Sequence, residues 1–229
     1  MKHLNQGMYD VVEAAHLVRA APGTLVRWAT PTRKRKALVV PSLGILYSFH
    51  DLISLLVVRE LTIRAVSLNT ISDGIQTLKR QLETEFPLAH RDLATVGRSF
   101  FAKSTKNDDW LDVGRGGQPA FVGMVLPELR RIEYGPDLLA AIWRPADRIW
   151  LNPRVQAGAS CIDRTRIPTS TIFQAVSKGD APEDVAGDYD LDIADVNAAL
   201  ESSRVCSKQL DWLGRRDSVP GSVFCSTNT

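Results

Sequence analysis

Four consecutive cations, Arg33-Lys34-Arg35-Lys36, are the sharpest chemical signal in the sequence. Neutralising a phosphate backbone needs positive charge on long stems more than it needs fixed geometry, so such a run suits nucleic-acid contact. A solvated surface run is the plain alternative. Residues 180–201 have the opposite character, with eight carboxylates and no Lys or Arg. That stretch would repel a phosphate backbone and points instead to a protein partner. The net charge of +2 over 229 residues conceals this asymmetry: residues 1–100 hold 13 Lys/Arg against 8 Asp/Glu, and residues 101–229 hold 15 against 18.

Catalytic chemistry has little to stand on. The four histidines, His3, His16, His50 and His90, are scattered, and none has a His or Cys at metal-ligand spacing. Asp108, Asp109 and Asp112 lie close together in a polar stretch of the kind that faces solvent. Cys161 has no activating base beside it, and with Cys206 and Cys225 it makes an odd set without C-x-x-C spacing. Gly114-Arg115-Gly116-Gly117-Gln118 lacks the Gly-Lys-Ser/Thr ending of a phosphate loop and reads as a hairpin turn. No enzyme activity, metal or cofactor is expected. With no apolar run near the ~20 residues of a membrane span and no leader pattern at Met1, the expected compartment is the cytoplasm.

Short helices are expected ahead of the cations. Asp10 caps the first, with Val11, Val12, Ala14, Ala15 and Val18 on its apolar face; Pro22-Gly23 breaks it, and Thr24 is expected to cap a second helix through Trp28. That spacing is a helix-turn-helix with residues 24–28 in the recognition position, or else a surface αα-hairpin. The cations lead into residues 37–40, a turn at Pro41-Ser42 and residues 43–49, a pattern predicting a basic β-hairpin wing. Helices follow at 50–65 and 69–86; Ile71, Ile75, Leu78 and Leu82 on the second form a stripe for a dimer contact or for its own core.

From 92 to 151 short β-type runs predominate, at 99–102, 110–113, 120–125 and 148–151, with 127–134 read as a short helix or irregular. Three short helices then follow, the first capped by Thr169 or Ser170, the second begun by Pro182, the third capped by Asp192. The fold class is α+β: a winged helix-turn-helix unit over 1–90, a β-rich antiparallel region over 91–151, a small helical module over 152–203 and a flexible tail over 204–229. Within that tail Trp212-Leu213-Gly214-Arg215-Arg216 also resembles a segment that folds on a partner.

Residues 152–201 carry a resemblance. Asn152-Pro153-Arg154-Val155-Gln156-Ala157-Gly158 and Ile162-Asp163-Arg164-Thr165-Arg166-Ile167-Pro168-Thr169 resemble a domain-of-unknown-function family with the pattern P-x-V-x-x-G-x-P-x-I-x-G-T-R-I-P. Ser160 stands where that family usually has Pro, and Arg164 where Gly is usual. Residues 46–52 and 66–71 are similar to the MerR-like winged unit of VapB-type antitoxins. The resemblance implies the antitoxin of a type II toxin–antitoxin pair, a cytoplasmic homodimer that represses its own operon and silences a VapC-like PIN-domain ribonuclease.

On that reading Thr24, Arg27, Trp28, Arg33, Lys34, Arg35 and Lys36 face operator DNA. Arg164, Thr165, Arg166 and the acidic face, or Trp212, Leu213, Arg215 and Arg216, face the toxin. A stand-alone MerR-like regulator whose C-terminal module senses a protein or a small ligand is the alternative.

Overall fold

The computed structural model describes residues 6–93 and 130–214, with side chains through residue 203. The expected strands at 99–102, 110–113 and 120–125, the glycine-rich turn at 114–118 and the chain after 214 lie outside the described residues.

Local chemistry sets the first helices. The Asp10 carboxylate accepts from Val12 N and Glu13 N, both at 2.8 Å, and starts α1 (Val11–Leu17). Helix α2 (Pro22–Ala29) begins earlier than expected: Ala21 is its N-cap, and Thr24 lies inside the first turn. Proline at the first helical position has its φ already set and lacks an N–H that would go unpaired, so no side-chain cap is needed. Ser48 and Asp51 form a reciprocal capping box that starts α3 (Phe49–Ile63), a central helix buried around most of its circumference. Ser67 caps α4 (Leu68–Gln81).

The expected wing and the length of the last helix change in this half, and the two alternatives for the α4 stripe reduce to one. The segment from 31 to 47 forms no hairpin ladder; it has single bridges Thr32↔Arg35 and Leu43↔Leu46, while Tyr47 pairs with Tyr9. Pro41 has no N–H to give a ladder, Leu38 N is taken by Trp28 O, and Ser42 is held by the Asp51 carboxylate through its N at 2.9 Å and its Oγ at 2.5 Å. The stripe on α4 is not free for a dimer partner, because Ile71, Ile75 and Leu78 are buried in the chain's own core. That helix also ends at Gln81, short of the expected 86, and Glu83 turns the chain with φ 49°.

The sheet is a four-stranded antiparallel meander: β1 (Ile132–Tyr134), β2 (Ala140–Ala146), β3 (Ile149–Leu151) and β4 (Cys161–Ile162), in that order. Residues 132–134, expected as helix or irregular, are a strand because Ile132 and Glu133 pair with Trp143 and Ile142 on β2. The sheet also crosses the expected boundary at 151/152, since Ile149 pairs with Ile162 and Trp150 with Cys161.

Three helices follow among the described residues: α5 (Thr169–Lys178), α6 (Pro182–Asp188) and α7 (Ile193–Gly214). Pro168, not Thr169 or Ser170, is the N-cap of α5, and Gly179 ends that helix at φ 114°. The backbone of α7 stays helical to Gly214, so residues 204–214 are helix where a flexible tail was expected. The architecture is α+β.

Two cores result. The larger holds the four N-terminal helices with Ile132, Ala140, Trp143 and Leu151 of the sheet; the smaller joins Ile149 and Ile162 to Ile172, Val185, Val196 and Ala199. A tyrosine ties them together. Tyr9 exchanges backbone hydrogen bonds with Tyr47 at 3.0 and 2.8 Å, and its buried hydroxyl donates to Gly158 O at 2.8 Å. Met8 N adds a bond to Ala157 O at 3.2 Å. Burial holds the His16 imidazole below its ordinary pKa.

Gly158 sits at φ 91°, and a Cβ there would come within 2.3 Å of Tyr9 Oη and 3.0 Å of Gly7 Cα. Gly158→Ala is therefore expected to cost about 3 kcal/mol in urea unfolding, from left-handed strain plus overpacking. Tyr9→Phe in that background, which removes the nearest atom, recovers part of that stability.

Candidate functional site

Helix α2 has a buried side and an open one. Leu25 and Trp28 are packed into the larger core. Gly23, Val26, Arg27 and Thr30, spaced at i, i+3, i+4 and i+7, are exposed, while Thr24 is half-buried. Trp28 was expected to face DNA; it is 2% exposed, so its ring belongs to the fold. Val26 and Thr30 were missed, although their spacing opposite Leu25 and Trp28 is legible once the helix start is known.

The cationic run divides in the same way. Arg33, Lys34 and Lys36 are exposed, but Arg35 is 8% exposed and turns back onto the end of α2. Its Nη2 donates to Arg27 O at 3.1 Å and Thr30 O at 3.3 Å, and Nη1 donates to Lys36 O at 3.4 Å. Carbonyls at a helix C-terminus have no partner within the helix, and a cation there also meets the negative end of the helix dipole. Arg35 is thus a structural cap and leaves the DNA-facing set. By folding residues 31–36 against α2, it brings Arg33, Lys34 and Lys36 beside the open face that carries Arg27. Among the described residues no carboxylate lies within 4.0 Å of these four cations.

An open groove separates residues 31–36 from α4, whose Ser72, Asp73 and Gln76 line its other wall. Gln76 Oε1 accepts from Lys36 Nζ at 3.2 Å, and Ser72 Oγ donates to Lys36 O at 3.4 Å. Helix α4 therefore positions Lys36, a role that its own sequence did not announce.

The second candidate surface is the loop between β4 and α5. Arg164 and Arg166 are exposed, and the Arg164 side chain is 92% exposed with only a 3.9 Å contact to Asp163. Thr165 works internally: its hydroxyl donates to Ile162 O at 3.0 Å and accepts from Ile167 N at 3.1 Å, and its carbonyl accepts from Trp150 Nε1 at 3.2 Å. Below this loop the Cys161 thiol is buried, and burial pushes its pKa up to about 11, so it is protonated at neutral pH.

On the acidic side, Glu183, Asp184, Asp188, Asp190 and Asp192 are exposed, while Asp195 holds Arg148 at 2.7 Å and Asp192 approaches it at 3.5 Å. Trp212 and Leu213 lie on the last turn of α7. Arg215 and Arg216 lie outside the described residues. Among the described residues no three His, Cys, Asp or Glu side chains cluster as metal ligands, and no helix is long and apolar enough to cross a membrane.

With this geometry in place, comparison with known proteins adds two findings. Residues 149–201 match a family described as "Protein of unknown function (DUF433)". The match begins at β3, three residues before the stretch that carries the sequence resemblance, so it takes in the strand that β4 pairs with. The chain is also similar to the crystal structure of Rv2018 from Mycobacterium tuberculosis, with a TM-score of 0.70 and 22% identity, over 86% of this chain and 99% of that one. That likeness shows a shared fold. No curated protein matches the chain.

Arg164 has φ 61°, the left-handed conformation that glycine adopts without a Cβ penalty, at the position where the family resemblance calls for glycine. Arg164→Gly is expected to raise unfolding stability by about 1 kcal/mol, read as a higher urea midpoint. An unchanged or lower midpoint means that the arginine makes a compensating contact within the fold.

Proposed function

We propose that the chain is a DNA-binding antitoxin. In this reading the N-terminal unit is a helix-turn-helix of MerR-like type that reads operator DNA as a homodimer, with the 31–36 turn standing in for a wing. The C-terminal module binds and silences a VapC-like PIN-domain ribonuclease. The observation that carries the DNA half is the clustering of Arg27, Arg33, Lys34 and Lys36, without carboxylate partners among the described residues, beside the open face of a short helix. Helix α2 would enter the major groove and the 31–36 cations would neutralise phosphates.

The toxin half is supported by the sequence resemblance and by the opposite charge of the module, where the carboxylates of α6 and its flanking turn are exposed. A PIN active site gathers carboxylates around a metal, so an arginine inserted there would pair with them. Arg164 and Arg166 on the β4–α5 loop, and Arg215 and Arg216 after α7, are the candidates for that insertion.

Two experiments test this reading. Replacing Arg33, Lys34 and Lys36 by Ala lowers the slope of log affinity against log salt by about 0.9 for each phosphate that is no longer neutralised, while the fold is retained. Arg35→Met instead lowers thermal stability, because it uncaps α2. Co-expression with the adjacent reading frame, pull-down and a ribonuclease assay test the second half. A complex whose ribonuclease activity emerges only when this chain is removed is the expected result. DNA binding with no such complex leaves a stand-alone regulator, and Arg215→Ala with Arg216→Ala asks whether the tail relieves inhibition.

A further inference from the structure

The open face of α2 is not uniformly polar. Between Gly23 and Arg27 stands Val26, 53% exposed, an aliphatic side chain on the open face one residue before the exposed Arg27. The Thr30 hydroxyl does not compete for that surface, since it donates to Val26 O at 2.8 Å. A Cβ added to Gly23 would meet nothing within 4 Å and its φ is not in the positive region, so the fold does not require glycine there. Glycine weakens a helix relative to alanine, so its presence fits a surface that another molecule approaches closely.

We infer that Val26 is a specificity-determining residue that packs against the C5-methyl group of a thymine in the major groove. The inference rests on the DNA-binding reading above and deepens it. Thymine is the one base whose major-groove edge offers an apolar group, and an aliphatic side chain can read it without a hydrogen bond. Charge complementarity selects duplex DNA as the occupant: Arg27 is exposed on the same face, Arg33, Lys34 and Lys36 are exposed on the segment that Arg35 pins to the end of α2, and among the described residues none of the four has a carboxylate within 4.0 Å. Gly23 one turn earlier leaves room for α2 to settle into the groove, and Arg27 beside Val26 reaches the flanking base edge or phosphate.

The test uses the full chain and duplexes selected from a random-sequence pool. Each thymine of the best duplex is replaced in turn by uracil, which lacks only the methyl group, and affinity is measured by fluorescence anisotropy. The expected result is that one replacement per half-site lowers wild-type affinity about three- to fivefold, the effect of uncovering one methyl group. Val26→Ala is equally weak on both duplexes, and Val26→Ile regains the discrimination. A wild-type chain indifferent to every replacement, or a Val26→Ala chain that still loses affinity by the wild-type factor, overturns the assignment. Selection of no duplex at all overturns the DNA-binding reading itself, which is a different failure.

Discussion

The hydroxyl of Tyr9 is the contact on which the arrangement of the chain depends. A buried phenol must find an acceptor, and Tyr9 finds the carbonyl of Gly158, 149 residues away in sequence. Its backbone is at the same time locked to Tyr47 just ahead of α3. The basic helical unit and the acidic module are therefore not joined as beads on a linker. They share a buried joint in which a carbon added to Gly7 or Gly158 would fall within 3.0 Å of the Tyr9 side chain. Desolvation raises the Tyr9 pKa, which keeps the hydroxyl a donor throughout the physiological range.

In the N-terminal half, Asp51 and Arg35 show how charged side chains organise a segment without regular structure. One buried carboxylate oxygen of Asp51 accepts from the backbone and hydroxyl of both Ser42 and Ser48, closing the turn that precedes α3. Arg35 closes the turn that follows α2 by the complementary device, a buried guanidinium on carbonyl oxygens. Each charge is paired several times over, which burial in a low-dielectric interior demands. Together they replace the expected hairpin with two pinned turns and leave Arg33, Lys34 and Lys36 outward.

The loop of the C-terminal module carries a related tension. Gln156, Ala157 and Gly158 are successive residues with positive φ, and Arg164 adds a fourth a few positions later. Strain of this kind persists where surrounding contacts over-determine it: Met8 and Tyr9 hold 157–158 from one side, and the Thr165 hydroxyl closes the loop around 164 from the other. The outcome is an exposed arginine on a turn held by hydrogen bonds on both sides.

Much of this was legible in the sequence. The cap at Asp10, the helix start at Pro182, the apolar helix expected from residue 50 and the α+β class follow from local rules of propensity and periodicity, which act over a few residues, whereas Pro22-Gly23, expected as a breaker, open α2. The division of charge between the two ends is likewise a property of composition. What stayed hidden depends on contacts between residues far apart in the chain. Nothing local distinguishes Arg35 from Lys34, yet one caps a helix and the other faces solvent. The α4 stripe suits a dimer or a core equally well until α3 packs over it, and residues 132–134 become a strand only because β2 offers them a ladder. Local sequence set most of the helices and the charge at each end; packing settled the strand at 132–134, which cations are exposed, which face of α2 is open and that Tyr9 joins the two ends, because burial and long-range hydrogen bonds form only when distant segments meet.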